Sequence, residues 1–102
     1  MSVQWLYRIQ PTRPEMPTDP TPEEERIVSA HFAYLVALRD AGTLRLAGRT
    51  QEEADTFGIV IFEAADRAAA QAITAADPAV AAGVFAATLH PFAVAVSSPT
   101  SE

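Results

Sequence analysis

TFGIVIFE, residues 56–63, is apolar on both of its alternating faces: Phe57, Ile59 and Ile61 on one, Val60 and Phe62 on the other. A strand of that kind needs cover on two sides and belongs in the middle of a sheet. The flanking segments supply the rest of the sheet. Upstream, VQWLYRIQ (3–10) sets Val3, Trp5, Tyr7 and Ile9 at period two, a second strand signal. TLRLAGR (43–49) alternates Leu44 and Leu46 with Arg45, Ala47 and Arg49, as expected of an edge strand with one wet face. Downstream, residues 84–96 predict a last strand, with a bend at Pro91.

Two helices separate these strands. Thr21 is a fitting N-cap, Pro22 suits the first helical position, and Glu24 completes a capping box. The helix runs to about Ala41 and stops at Gly42. At ~100° per residue, Ile27, His31, Tyr34, Leu35 and Leu38 share one face. Val28, Phe32 and Val36 widen that arc, with Arg26, Ser29, Ala33 and Asp40 opposite. Asp66 caps a second, alanine-rich helix over 67–76. Pro78 forces Asp77 into an extended conformation and ends it, and a short turn at 78–82 leads to Gly83. Between the first strand and first helix lies PTRPEMPTDPTP (11–22), with prolines at 11, 14, 17, 20 and 22. Such a segment forms neither helix nor central strand and reads as a stiff lid or rim.

The order β-α-β-β-α-β, with right-handed crossovers, places both helices on one face of an antiparallel sheet, the ferredoxin-like α+β arrangement. Strands one and three are then central and strand two is an edge. One domain over 1–96 accounts for the chain, with SSPTSE (97–102) as a flexible tail. Two helices cover only one face, so the remaining apolar residues of strand three would face water. A second copy meeting the first sheet to sheet, as a homodimer, would cover them.

Composition narrows the function. A formal net charge of −6 disfavours nucleic acid as a partner. Cysteine is absent, which excludes disulfides, thiolate metal sites and cysteine nucleophiles. No stretch approaches the ~20 apolar residues of a membrane span, and MSVQWLYRIQ lacks the pattern of a signal peptide. A cytoplasmic location is the expectation. The two histidines lack metal-ligand spacing, so no metal is expected. The glycines are scattered, and no phosphate-cradling loop or serine elbow exists.

His31 and Asp77 remain as candidates for chemistry. A histidine in the middle of a buried helix face is a costly choice where leucine would serve, unless its ring is bonded. An unperturbed pKa of ~6.5 suits general acid/base work. The bland alternative is a core histidine bonded to a carbonyl or water. Asp77 has a bland alternative too, as N-cap of the short turn opened by Pro78. A carboxylate at the C-terminal end of a helix is badly placed for the dipole, and a cationic histidine would relieve it. Both roles can coexist, one oxygen capping and the other facing His31. Tyr34, three residues on from His31, could orient the ring or a ligand, or be core with a polar tip. Trp5 and Tyr7 could wall a planar ligand, though core or interface is the plainer reading. His90 reads as surface or interface.

With the elements placed, HFAYLVALRDAGTLRLAG (31–48), the apolar third strand, AADPAVAAGVF (75–85) and HPF (90–92) together resemble the YCII-related (YciI-like) family. The resemblance covers nearly all of the chain except the proline-rich loop and tail. It implies a ferredoxin-like dimeric α+β barrel in which His31 and Asp77 match the proposed active-site pair. One related group in that family consists of dehydrochlorinases acting on chlorinated hydroxylated aromatics, and muconolactone isomerases share the fold. By analogy the expected function is a small cofactor-independent enzyme, a lyase or isomerase using a His–Asp dyad on a small ring compound. The alternative is a small-molecule-binding or accessory homodimer without catalysis. Two positions depart from the family pattern: Gly48-Arg49 stands where Gly-Pro is frequent, and Ala79 where an aromatic residue is frequent. Arg49 favours an anionic ligand wherever it faces the cavity.

Overall fold

The computed structural model describes residues 3–98. Seven elements follow in order: β1 (Val3–Pro11), α1 (Pro22–Asp40), β2 (Leu44–Arg49), β3 (Gly58–Ala64), α2 (Arg67–Ala76), α3 (Pro78–Ala81) and β4 (Phe85–Phe92). The strands form one sheet in the order β2-β3-β1-β4, every neighbouring pair antiparallel. This is the ferredoxin-like α+β fold, with β1 and β3 central and β2 at an edge.

The helices cover one face. Trp5, Tyr7 and Ile9 of β1 and Val60, Phe62 and Ala64 of β3 form its buried layer, and Leu35, Ala69, Ile73 and Val80 pack on it from the three helices. Tyr7 meets Phe62 edge to face, with ring centroids 5.8 Å apart. The ends of α1 follow the sequence signals. Thr21 and Glu24 form the reciprocal capping box. Gly42, at φ +80°, lets the Thr43 amide donate back to the Leu38 carbonyl at 3.0 Å.

Four expectations need correction. β2 does not alternate cleanly, because the ladder slips between Leu44, which pairs with Phe62, and Leu46, which pairs with Ile61. A bulge at Arg45 turns Leu44 towards the helices and Leu46 to the outer face, where it is 51% exposed. Phe32 is 67% exposed and does not widen the buried arc of α1. β4 ends at Phe92 rather than at residue 96, and Pro91 lies within it without ending it. The last β4 pair is Gln4↔Phe92, close to the start of β1, so the ladder has little further partner there; on an edge strand proline is tolerated. Finally, Ile61 on the outer face is only 7% exposed within a single chain, flanked in register by Leu6 and Leu46. The uncovered apolar surface is therefore smaller than strand parity alone implies. Of the tail, residues 99–102 lie outside the described residues.

The proline-rich segment is pinned at both sides. The Thr12 hydroxyl donates to the Gly83 carbonyl at 2.7 Å and the Thr12 amide to Val84 at 2.9 Å. Arg13 holds Glu24 through two bonds of 2.9 and 2.7 Å and also reaches the Asp19 carbonyl. Met16 is buried. The loop thus joins the first turn of α1 to the turn between α3 and β4.

Candidate active site

Asp77 stands between two helices, as C-cap of α2 and N-cap of α3. Its backbone is extended (φ −60°, ψ 122°), as the following proline requires. One carboxylate oxygen, Oδ1, accepts the Ala79 amide at 2.9 Å, the capping bond. The other, Oδ2, receives two donors. His31 Nδ1 lies at 2.7 Å and the Tyr7 hydroxyl donates to the same oxygen at 2.7 Å. Asp77 is 0% exposed. Helix, turn and central strand therefore converge on one carboxylate across 46 and 70 residues of sequence.

Burial alone would drive the Asp77 proton affinity up. The donors from His31 and Tyr7, the attraction of the imidazole and the Ala79 amide together outweigh it and hold the carboxyl below its usual range. Tyr7 moves the other way: burial first, then its bond to Asp77, raise the phenol well above its ordinary value. The network is thus an ionised acid facing a neutral phenol. An ionised Asp77 places the ring proton of neutral His31 on Nδ1, leaving the Nε2 lone pair free.

Among the described residues no hydrogen bond is made by Nε2. Trp5 Nε1 alone, among the described residues, is a fully buried side-chain nitrogen or oxygen without one, so His31 Nε2 reaches solvent. The His31 side chain as a whole is 11% exposed. Phe85 packs edge-on against its ring at 5.1 Å and fixes its plane.

The other expected residues lie elsewhere. Tyr34 does not orient the imidazole; its hydroxyl donates to the Ile73 carbonyl at 2.7 Å, satisfying one of the open carbonyls in the last turn of α2. Burial, followed by the charge of Asp77, raises its proton affinity too. Trp5 is core, with the Arg67 guanidinium 5.2 Å from its ring centre. Arg49 borders a hollow of about 290 Å³ with Leu46, Gly48, Phe57 and Ile59; at the end of β2 it pairs with Gly58, in the row of Ile9 on the helix-side face, whereas Leu46, Gly48 and Ile59 are of the outer row. A second hollow, of about 250 Å³, lies between Pro11, Pro14 and Pro17 of the loop and Glu53, Asp55 and Thr56 of the β2–β3 connection. Neither hollow is lined by His31 or Asp77. His90 bonds Thr88 at 3.0 Å on the exposed side of β4.

The bond from Tyr7 to Asp77 is what sequence reasoning missed. The parity of Tyr7 with Trp5 and Ile9 marked it as buried. A fully buried phenol needs a hydrogen-bond partner, and that requirement was the available signal. Among the described residues no cluster of His, Cys, Asp and Glu is placed to hold a metal ion, and no helix there is long and apolar enough to cross a membrane.

A family model described as YCII-related domain matches residues 6–90. No curated protein matches the sequence significantly. Among solved structures, 5-chloro-2-hydroxyhydroquinone dehydrochlorinase from Burkholderia phenoliruptrix AC1100, in complex with 2,5-dihydroxybenzoquinone, is similar with a TM-score of 0.67 and 19% identity, over 88% of this chain and 93% of that one. SnoaB, a cofactor-independent oxygenase from Streptomyces nogalater, is similar with a TM-score of 0.51 and 14% identity, over 97% of this chain and 98% of that one. At these identities the likeness is one of fold.

Proposed function

The chain belongs to the YCII-related domain family, and we propose that it is a small cofactor-independent enzyme in which His31 and Asp77 act as an acid/base dyad on a small ring compound. The observation that carries this reading is the 2.7 Å contact between His31 Nδ1 and a fully buried Asp77 carboxylate, in which Nε2 is left without a hydrogen bond among the described residues. In that arrangement Nε2 removes a proton from the substrate. Asp77 stabilises the imidazolium that forms and holds the ring in the productive tautomer. Returning the proton at a second position completes an isomerisation. Expelling a leaving group such as halide completes an elimination. The dehydrochlorinase with its bound quinone supports a hydroxylated ring as the substrate class, through shared fold.

The expected preference for an anion loses its support, because Arg49 borders a hollow that neither His31 nor Asp77 lines. No arginine is bonded to the dyad: Arg13 pairs with Glu24, Arg26 with Glu23, Arg39 with Asp40 and Arg45 with Glu63. A substrate that acquires negative charge as it loses its proton has the imidazolium as its counter-ion. Homodimer formation through the outer sheet face belongs to the same proposal, with Leu46 and Phe92 as its exposed apolar contribution.

His31→Ala is expected to abolish turnover of hydroxylated or halogenated ring substrates while the circular dichroism spectrum and cooperative melting are retained. Activity equal to wild type would discard the assignment. The enclosure of the His31 side chain favours one second reading, a ligand-binding or accessory protein without catalysis. Thermal stabilisation by small phenols and lactones with no product formed would establish it.

A further inference from the structure

We propose that Tyr7 is a positioning residue that sets how strongly Asp77 holds the His31 ring, and so how basic Nε2 is. The inference stands on a shared acceptor. The Tyr7 hydroxyl and His31 Nδ1 both lie 2.7 Å from the same oxygen, Asp77 Oδ2, while the capping amide of Ala79 takes Oδ1. An oxygen that accepts two donors gives less of its charge to each. The phenol therefore draws charge away from the imidazole and moderates the stabilisation of the imidazolium.

The fold makes this a fixed competition. Tyr7 is 0% exposed in the central strand β1 and packed against Phe62, so neither water nor another acceptor displaces its bond to Asp77. Its proton stays on, because burial and the adjacent carboxylate both oppose ionisation. The other titratable group close to the acid is Tyr34 of α1, which feels the Asp77 charge but donates to Ile73. The α3 sequence PAVA carries no charge. The β4 residues nearest the ring, starting at Phe85, are uncharged, and His90 is bonded to Thr88 further along the strand. On β2, Arg45 is paired with Glu63. Apart from the Ala79 amide on Oδ1, no other donor is bonded to Asp77 among the described residues.

The role described here rests on the dyad reading for its catalytic meaning, but its test does not need turnover. Nitrogen-15 NMR of the full chain labelled at histidine follows the titration of His31, with His90→Gln used to assign the signals. In Tyr7→Phe the midpoint of His31 is expected to rise by about half to one pH unit, since the carboxylate then serves the imidazole alone. Tyr34→Phe, which removes a half-buried hydroxyl bonded elsewhere, is expected to leave it in place. An unchanged midpoint in folded Tyr7→Phe, or an equal rise in Tyr34→Phe, overturns the proposal. Should Tyr7→Phe not fold, uniform 3-fluorotyrosine makes the phenol a stronger donor and is expected to lower the midpoint; no downward shift overturns the proposal. A shift in His31 alongside wild-type turnover in His31→Ala would sink the enzyme reading and leave this one standing.

Discussion

Replacing Asp77 by asparagine separates the two roles of the residue. Asparagine caps a helix about as well as aspartate, so the bond from the Ala79 amide survives. With its oxygen turned to that amide, the new side chain presents an NH2 group to His31 and Tyr7, where Oδ2 had accepted two donors at 2.7 Å. The ring must answer by moving its proton from Nδ1 to Nε2, and the phenol by turning its lone pairs inward. Each bond to a charged acceptor contributes about 1.5–3 kcal/mol. Weaker neutral bonds recover part of that, so the net loss at neutral pH is about 2–4 kcal/mol. Against a total stability of roughly 5–15 kcal/mol the protein still folds. The pH dependence adds a second handle. Asp77 is held below its ordinary value in the folded chain, first against burial and then by its donors. Its contribution is therefore full above the unfolded value of ~3.9 and is lost as pH falls through the lower folded value. Urea denaturation of both proteins from pH 7 to pH 3 should show a gap that is widest at the top of this range and narrows below about pH 4. In activity, the inverted tautomer should cost about 10³–10⁴-fold in kcat. A gap under about 0.5 kcal/mol at pH 7, or one that is unchanged on acidification, refutes the network as described.

Two further outcomes test the surroundings of the site. The bond from Arg13, then the Thr21 amide, draws the Glu24 carboxyl down to about 2. The stability this adds is present above the unfolded value of ~4.3 and disappears as pH falls towards 2, so the melting temperature of wild type should exceed that of Glu24→Gln at neutral pH and converge with it at the acid end. Leu46→Asp places a charge in the outer-face row of Ile61 and Leu6. Sedimentation at micromolar concentration should show a dimer for wild type and a monomer for the variant; a monomeric wild type removes the sheet-to-sheet pairing.

Much of the fold was legible because its signals are local and agree with one another. The capping box at Thr21 and Glu24, the stop at Gly42 and the extended Asp77 before Pro78 each act over a few residues, and each forms as expected. What escaped depends on neighbours distant in sequence. The bulge that reverses the parity of β2 at Arg45 is set by its register against β3, and alternation within TLRLAGR cannot encode it. The end of β4 at Phe92 is set by where β1 begins, not by the apolar run AVAV that follows. Phe32 fits the arc of α1 by angle, yet it is 67% exposed, because periodicity gives the direction of a side chain and not how wide an arc of the helix the sheet covers. The contact of His31 with Asp77 was an expectation from the family resemblance and the helix dipole; periodicity could place each residue but not measure 2.7 Å between them.

Capping alone does not account for Asp77. An N-cap needs one acceptor oxygen, and serine, threonine or asparagine would provide it without burying a charge. Here the second oxygen is buried as well and is satisfied only because a strand tyrosine and a helix histidine both reach it. Breaking such a set by removing one partner leaves a buried charge short of donors, whereas apolar residues of similar volume would be tolerated at least as well. A sequence shaped for stability alone has cheaper solutions at positions 7, 31 and 77. A site that must hold one imidazole nitrogen protonated inward and the other open to solvent does not, because only an ionised, fully desolvated acceptor fixes the tautomer that strongly. That asymmetry, more than the presence of a histidine, is what favours proton transfer over architecture as the purpose of the cluster.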